Sequence, residues 1–288
     1  KGSDIVLHTE GKSEGNYCYT ADAVRALLTI LVKGENMQAY NVVNEKSHIT
    51  IADMAKFVAE KIAEKPIEVV FDIPKENGYI PIQVGAIRGH VLPKGAYFDD
   101  DGDNISDKNK NYCELTGIYW LWKHVKDDYI GIVHYRRYFS RHYNGRLLSK
   151  SDIEKQLKKH DMILPFIRHL DKTVIEQYCE SGYKKDLFIT GEVIKEKYPE
   201  YYDEFEKFIN GKDVYFGNMF ITSKTIYDDM CRWMFDILFE VERRVDVSEY
   251  SEYFSRIYGF ISERLLYVYV SHNKLDIFET GVVNTEEK

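Results

Sequence analysis

The sharpest chemical signal in the chain is His134-Tyr135-Arg136-Arg137-Tyr138, which follows the apolar run Ile130-Gly131-Ile132-Val133. In an open α/β sheet, ligands collect at the carboxyl ends of strands, which makes His134, Arg136 and Arg137 candidate ligand contacts. Two guanidiniums can neutralise a diphosphate through bidentate hydrogen bonds without a metal and stabilise charge developing on a leaving group. The alternative is a surface arginine pair held in carboxylate salt bridges. Upstream, Asp99–Asn109 is crowded with acids, Asn and Ser. Asp101 and Asp103 have Asp-x-Asp spacing, and an oxygen-only pair suits Mg²⁺ or Mn²⁺; Asp, Gly and Asn also form solvated turns unaided. Asp103, Asn104, Ser106 and Lys108 offer hydrogen bonds to ribose hydroxyls or phosphate, with Lys108 and Asn109 the phosphate candidates. Gly217 permits close approach and Asn218 can bond a hydroxyl, or the pair is a bulge in a buried strand. Glu263 and Arg264 interrupt a helical run of Ile, Leu, Tyr and Val. They form either a buried ion pair or a reach into a cleft. Glu263 is a candidate general base toward an acceptor hydroxyl, and Asp186 is the other.

The elements that must position these groups are legible from periodicity. Ile5–Leu7 reads as a strand. Thr20 caps a helix running to Lys33, with Val24, Leu27, Leu28 and Leu31 on one face. Tyr40–Val43 is a strand. Thr50 caps a helix from Ile51 to Glu64 that buries Met54, Phe57, Val58 and Ile62 and stops at Pro66. Ile67–Phe71 is a strand before the turn-rich Pro74–Gly78. A helix near Cys113–Val125 and a strand at Tyr129–Val133 follow. Further on come helix 151–159, strand 161–164, helices 172–181 and 186–208, strand 214–222 and helices 224–243 and 257–271. This alternation predicts an α/β fold: a mixed sheet flanked by helices.

A net charge of −8 argues against a nucleic-acid binder, which needs a basic face. The 23 tyrosines suit either a sugar-binding cleft or an aromatic core. Cys18, Cys113, Cys179 and Cys231 are too scattered for a zinc or redox motif. With no signal peptide and no apolar stretch of ~20 residues, they point to the reducing cytosol.

Two resemblances add to this reading. Asn16-Tyr17-Cys18-Tyr19-Thr20-Ala21-Asp22-Ala23-Val24, Ala39-Tyr40-Asn41-Val42 and Ile49-Thr50-Ile51-Ala52-Asp53-Met54-Ala55 resemble the C-terminal substrate domain of extended short-chain dehydrogenases, the nucleotide-sugar epimerases and dehydratases. That family's Gly-rich turn and Tyr-x-x-x-Lys pair are absent, so no NAD is expected, and residues 1–76 read as a truncated remnant or a packing appendage.

From about residue 77 onward the chain resembles a family of bacterial capsular and exopolysaccharide glycosyltransferases long known as a domain of unknown function. The resemblance rests on Ile80–Ala86, Asp99–Asn109, Tyr112–Thr116, Tyr129–Phe139, Ser181–Leu187, Tyr215–Phe220 and Gly259–Leu266. It implies a GT-A-like (Rossmann-like) fold over 77–288, a small N-terminal α/β appendage, a nucleotide-sugar donor and a lipid-linked glycan acceptor. It also implies residence in the cytoplasm, at the inner face of the cytoplasmic membrane, with peripheral association through the acceptor. Set beside the residue reading, this makes Asp103, Asn104, Ser106, Lys108, Asn109, His134, Arg136 and Arg137 the expected donor contacts and Gly217, Asn218 and Arg264 the expected border of the acceptor. An inactive fusion relic or binding protein, or part of an epimerase, are the alternatives.

Overall fold

The computed structural model describes residues 5–7, 14–16, 20–33, 48–62, 69–71, 79–92, 95–141 and 146–284. The chain divides into two compact units. One is Lys1–Pro74 with Val91–Pro93; the other is Lys75–His90 with Lys94–Lys288.

In the first unit, strands Ile5–Leu7 and Val69–Phe71 pair in parallel, and Glu14–Asn16 pairs antiparallel with His48–Thr50. The helix Thr20–Lys33 forms as expected. Its apolar residues Val24, Leu27, Leu28 and Val32 are nevertheless exposed, Val32 at 79%. Thr50 caps the next helix by accepting from the Asp53 N–H at 3.0 Å. That helix widens into a π-turn over Val58–Ile62, and Phe57 is exposed rather than buried. The strand expected at Tyr40–Val43 and the turn at Pro74–Gly78 lie outside the described residues.

The second unit is built on a six-stranded mixed sheet. Its order is Tyr129–Ile132, Phe220–Ser223, Met162–Pro165, Ile277–Asn284, Arg137–Arg141 and Arg146–Leu147. Met162–Pro165 and Ile277–Asn284 run parallel, and the other neighbours are antiparallel. The α/β expectation therefore holds as a mixed sheet flanked by helices. Helix Leu115–His124 is buried on every side from Leu115 to Leu121, as its all-round apolar composition requires. It packs on the long helix Lys224–Arg244 through Tyr119 against Phe235 (ring centroids 5.1 Å) and Tyr227, whose hydroxyl donates to Ile118 O at 2.9 Å. Part of the tyrosine content is core: Tyr112, Tyr178 and Tyr227 are fully buried.

Backbone chemistry explains where the sequence reading misplaced boundaries. The helix expected over 186–208 is two helices, Lys184–Lys197 and Tyr202–Ile209. Pro199, lacking an N–H, starts a separate 3₁₀ turn between them. The strand expected over 214–222 is interrupted after Asp213–Val214 and resumes only at Phe220. Gly217 (φ 89°) and Asn218 (φ 46°) are left-handed and leave the extended path. Cys113 (φ 52°) likewise starts no helix: it separates a short helix, Asn109–Tyr112, from Leu115–His124, so the helix expected near 113–125 begins two residues later. Strands Arg137–Arg141 and Ile277–Asn284 carry no clear period and were not anticipated.

Candidate functional site

These irregularities converge. The strand Tyr129–Ile132 leads through Val133 to His134, the tight His134–Arg137 bridge follows, and the 215–219 loop and the start of helix Ile257–His272 close the other sides. The result is a cleft of about 370 Å³. His134, Arg136, Arg137, Gly217 and Glu263 line it, joined by Cys113, Glu114, Tyr135, Tyr253, Arg256, Gly259 and Phe260. Arg136, Arg137 and Arg256 face Glu114 and Glu263, so the cleft carries a net positive charge even with His134 neutral. That composition suits an anionic ligand.

A chain of bonds sets the cleft wall. His134 Nε2 donates to the Gly217 carbonyl; because a carbonyl only accepts, the proton must sit on Nε2. The Gly217 N–H donates to Glu263 Oε1 at 2.7 Å, and Glu263 Oε2 accepts from Arg264 Nη1 at 2.8 Å. Arg264, 1% exposed, also donates to Phe260 O (2.9 Å) and Gln177 Oε1 (2.5 Å). Burial pushes the Glu263 carboxyl above the usual carboxylate range; Arg264 and the Gly217 N–H oppose that rise, and Glu114 adds to it. Burial lowers the Arg264 guanidinium, opposed by Glu263. Arg264 thus stands behind the cleft as support, the buried ion pair weighed from the sequence. Asn218 is also behind the wall. Its Nδ2 donates to Glu114 Oε1 (2.7 Å), Ser262 Oγ (2.9 Å) and Gly259 O (3.3 Å), tying the loop to both helices.

The other candidates lie elsewhere. Asp101 Oδ1 accepts from Trp120 Nε1 at 2.6 Å, and Asp103 Oδ1 from the Tyr119 hydroxyl at 2.9 Å, with Lys123 3.6 Å from Asp103. Among the described residues no group of three or more His, Cys, Asp or Glu is arranged to hold a metal ion. With each carboxylate engaged by a different aromatic donor, this pair does not fit the Mg²⁺ or Mn²⁺ considered from the sequence. Asn104 closes a turn through Gly102 O and the Ser106 N–H. Lys108 pairs with Glu242 at 2.7 Å, and Asn109 donates to Cys113 O at 2.8 Å. Asp186 is fully buried, accepting from the Tyr250 hydroxyl (2.7 Å), the Tyr178 hydroxyl (3.3 Å) and the Tyr183 N–H (3.3 Å).

Ser106 serves Asp99, a fully buried carboxylate that the motif reading passed over. Asp99 accepts from Ser106 Oγ (2.6 Å), Gly85 N (2.8 Å) and Ala86 N (2.9 Å). It pins the turn at Gly85, where φ is 65° and a Cβ would meet Asn109 Oδ1 at 2.5 Å. The cleft residues Cys113, Glu114 and Arg256 were also missed. The available signal was proximity in sequence to motifs already singled out: Cys113 and Glu114 sit within Tyr112–Thr116, and Arg256 stands just before Gly259–Leu266.

A family described as a domain of unknown function, DUF4422, matches residues 63–274, most of the chain. The chain belongs to the DUF4422 family. Its fold also matches the apo structure of the bifunctional glycosyltransferase WbbM, with a TM-score of 0.67 and 27% sequence identity over 72% of this chain. The match covers 42% of that longer protein, so this DUF4422 chain corresponds to less than half of it. No curated protein sequence matches the chain. The DUF4422 unit is a glycosyltransferase-like domain, and among its described residues no helix is long and apolar enough to cross a membrane.

Proposed function

We propose that the DUF4422 unit transfers a sugar from a nucleoside-diphosphate sugar to a glycan acceptor during assembly of a capsular or extracellular polysaccharide. The observation that carries this reading is the convergence of His134, Arg136, Arg137, Gly217 and Glu263 on one cleft, in a chain that matches a glycosyltransferase fold. Arg136 and Arg137 bind the donor diphosphate. Glu263 takes the proton from the acceptor hydroxyl, and the freed oxygen attacks the anomeric carbon. The bond from that carbon to the diphosphate breaks, and the guanidiniums accept the developing charge. A carboxylate raised by burial makes a stronger base than an exposed one. The acceptor is lipid-linked, which would bring the domain to the inner face of the cytoplasmic membrane.

Residues 1–76 are read as the remnant of an epimerase or dehydratase substrate domain, and 77–288 as the transferase. The exposed apolar side of Thr20–Lys33 supports a fragment separated from its former packing partner. The family match begins at residue 63, so residues 67–71 fall within both readings.

Thermal melting and calorimetry with nucleoside diphosphates and UDP- or GDP-sugars test the proposal, since a ligand that binds only the folded state raises the melting midpoint. A nucleotide-selective shift followed by sugar transfer to a glycan acceptor is expected. Binding without transfer would leave a binding protein. Absence of any binding in a cooperatively melting protein would leave an inactive relic.

A further inference from the structure

Arg256 lines the cleft beside Arg136 and Arg137, yet its setting differs from that of four other arginines on helices. Arg232, Arg243, Arg244 and Arg264 each hold a carboxylate, at 2.7, 2.7, 2.6 and 2.8 Å respectively. Among the described residues Arg256 has no ion pair. Its side-chain hydrogen bond runs from Nε to Cys113 Sγ at 3.1 Å. The guanidinium lies 5.9 Å from the ring centroids of both Tyr253 and Phe260. One edge is thus held by sulfur and the plane is steadied by rings, while among the described residues the Nη donors have no protein acceptor at the lip of a positively charged cleft.

Cys113 occupies an unusual place. Its φ of 52° and ψ of −127° suit glycine and strain a residue with a Cβ. A glycine would relieve the backbone, but it would remove the Cys113 sulfur that holds Arg256. Asn218, the other positive-φ side chain beside the cleft, does comparable work by anchoring Glu114. Helix Ile257–His272 also starts next to Arg256 with no side-chain cap, so its partial positive charge adds to the field there.

We propose that Arg256 is a further diphosphate-binding residue of this cleft and that Cys113 is its positioning residue. The inference rests on the donor-site reading above and adds to it a guanidinium aimed by a thiol. A planar fork held at Nε presents parallel donors suited to two phosphate oxygens. Because an N–H···S bond is weak, the fork can still swing as the ligand enters and leaves.

The test is calorimetric titration of inorganic pyrophosphate, UDP and GDP into the full chain and its Arg256→Ala, Arg256→Lys, Cys113→Gly and Cys113→Ser variants, with a melting curve for each. Arg256→Ala should lose about tenfold or more in affinity for pyrophosphate and for the preferred nucleotide, and Arg256→Lys should restore only part of it. Cys113→Gly should melt no lower than the parent yet bind more weakly, a combination that loss of fold would not produce. Cys113→Ser, whose hydroxyl still accepts, should bind nearer to the parent. Unchanged binding by Arg256→Ala would overturn the proposal while leaving the transferase reading intact. Unchanged binding by Cys113→Gly would overturn the positioning role. Arg256-dependent binding of pyrophosphate with no nucleotide bound would keep the anion site and refute the transferase reading, and binding of neither would refute both.

Discussion

Replacing Arg264 with Met leaves a buried carboxylate without its counter-charge, and the size of the penalty follows from the contacts. Arg264 is 1% exposed and holds Glu263 Oε2, Phe260 O and Gln177 Oε1. Met fills similar apolar volume but supplies no donor. Glu263 keeps the Gly217 N–H and loses the ion pair. Breaking a buried pair on one side costs about 3–5 kcal/mol, a large share of the stability of a typical domain. The loss also depends on pH in a defined direction. In the parent, burial already raises the folded-state Glu263 carboxyl above its ordinary value of 4.5, with Arg264 restraining the rise. Without Arg264 that carboxyl rises further. The variant's deficit is therefore complete where Glu263 is ionised in both proteins, and it shrinks as pH falls through the variant's raised value toward the parent's. Urea denaturation of both proteins at several pH values measures this, and adding Glu263→Gln to the variant should return much of the neutral-pH loss. A deficit below about 1 kcal/mol, or one equally large at all pH values, would refute the claim that a desolvated ion pair supports the cleft wall.

Further outcomes are expected. Glu263→Gln should abolish sugar transfer while retaining nucleoside-diphosphate binding; the parent's rate, followed by product formation, should rise with pH along a limb above the ordinary carboxylate range, because the base must be ionised to act. Arg137→Ala should weaken diphosphate binding by about tenfold or more in calorimetry without lowering the melting temperature. Gly217→Ala should lose activity and about 1–3 kcal/mol of stability by denaturant titration, since φ is 89° and the new Cβ would face His134 Nε2 at 3.5 Å and Arg137 Nη1 at 3.7 Å. Asp99→Ala strands the Gly85 and Ala86 N–H groups and should cost about 2–4 kcal/mol in the same assay.

Residue type and local period determined much of this protein before any fold was known. Apolar runs and capping residues defined Thr20–Lys33, Lys224–Arg244 and Ile257–His272 nearly to the residue. The end of the apolar run at Val133, and the charged pair inside an apolar helix, marked His134, Arg136, Arg137 and Glu263 for chemistry. What the sequence left open was how each acid is used. Asp101, Asp103, Asp186 and Glu263 all have the composition of a ligand or a base, and a carboxylate's role depends on which donors lie across space from it. Those donors come from distant segments: Tyr119 and Trp120 for the loop acids, Tyr250 for Asp186, and Gly217 for Glu263. Local pattern also missed Cys113, Glu114 and Arg256, because their meeting depends on positive-φ corners at Cys113, Gly217 and Asn218 that bend separate elements toward one cleft. Periodicity reports which face of an element is apolar; only packing decides which polar groups end up opposite one another.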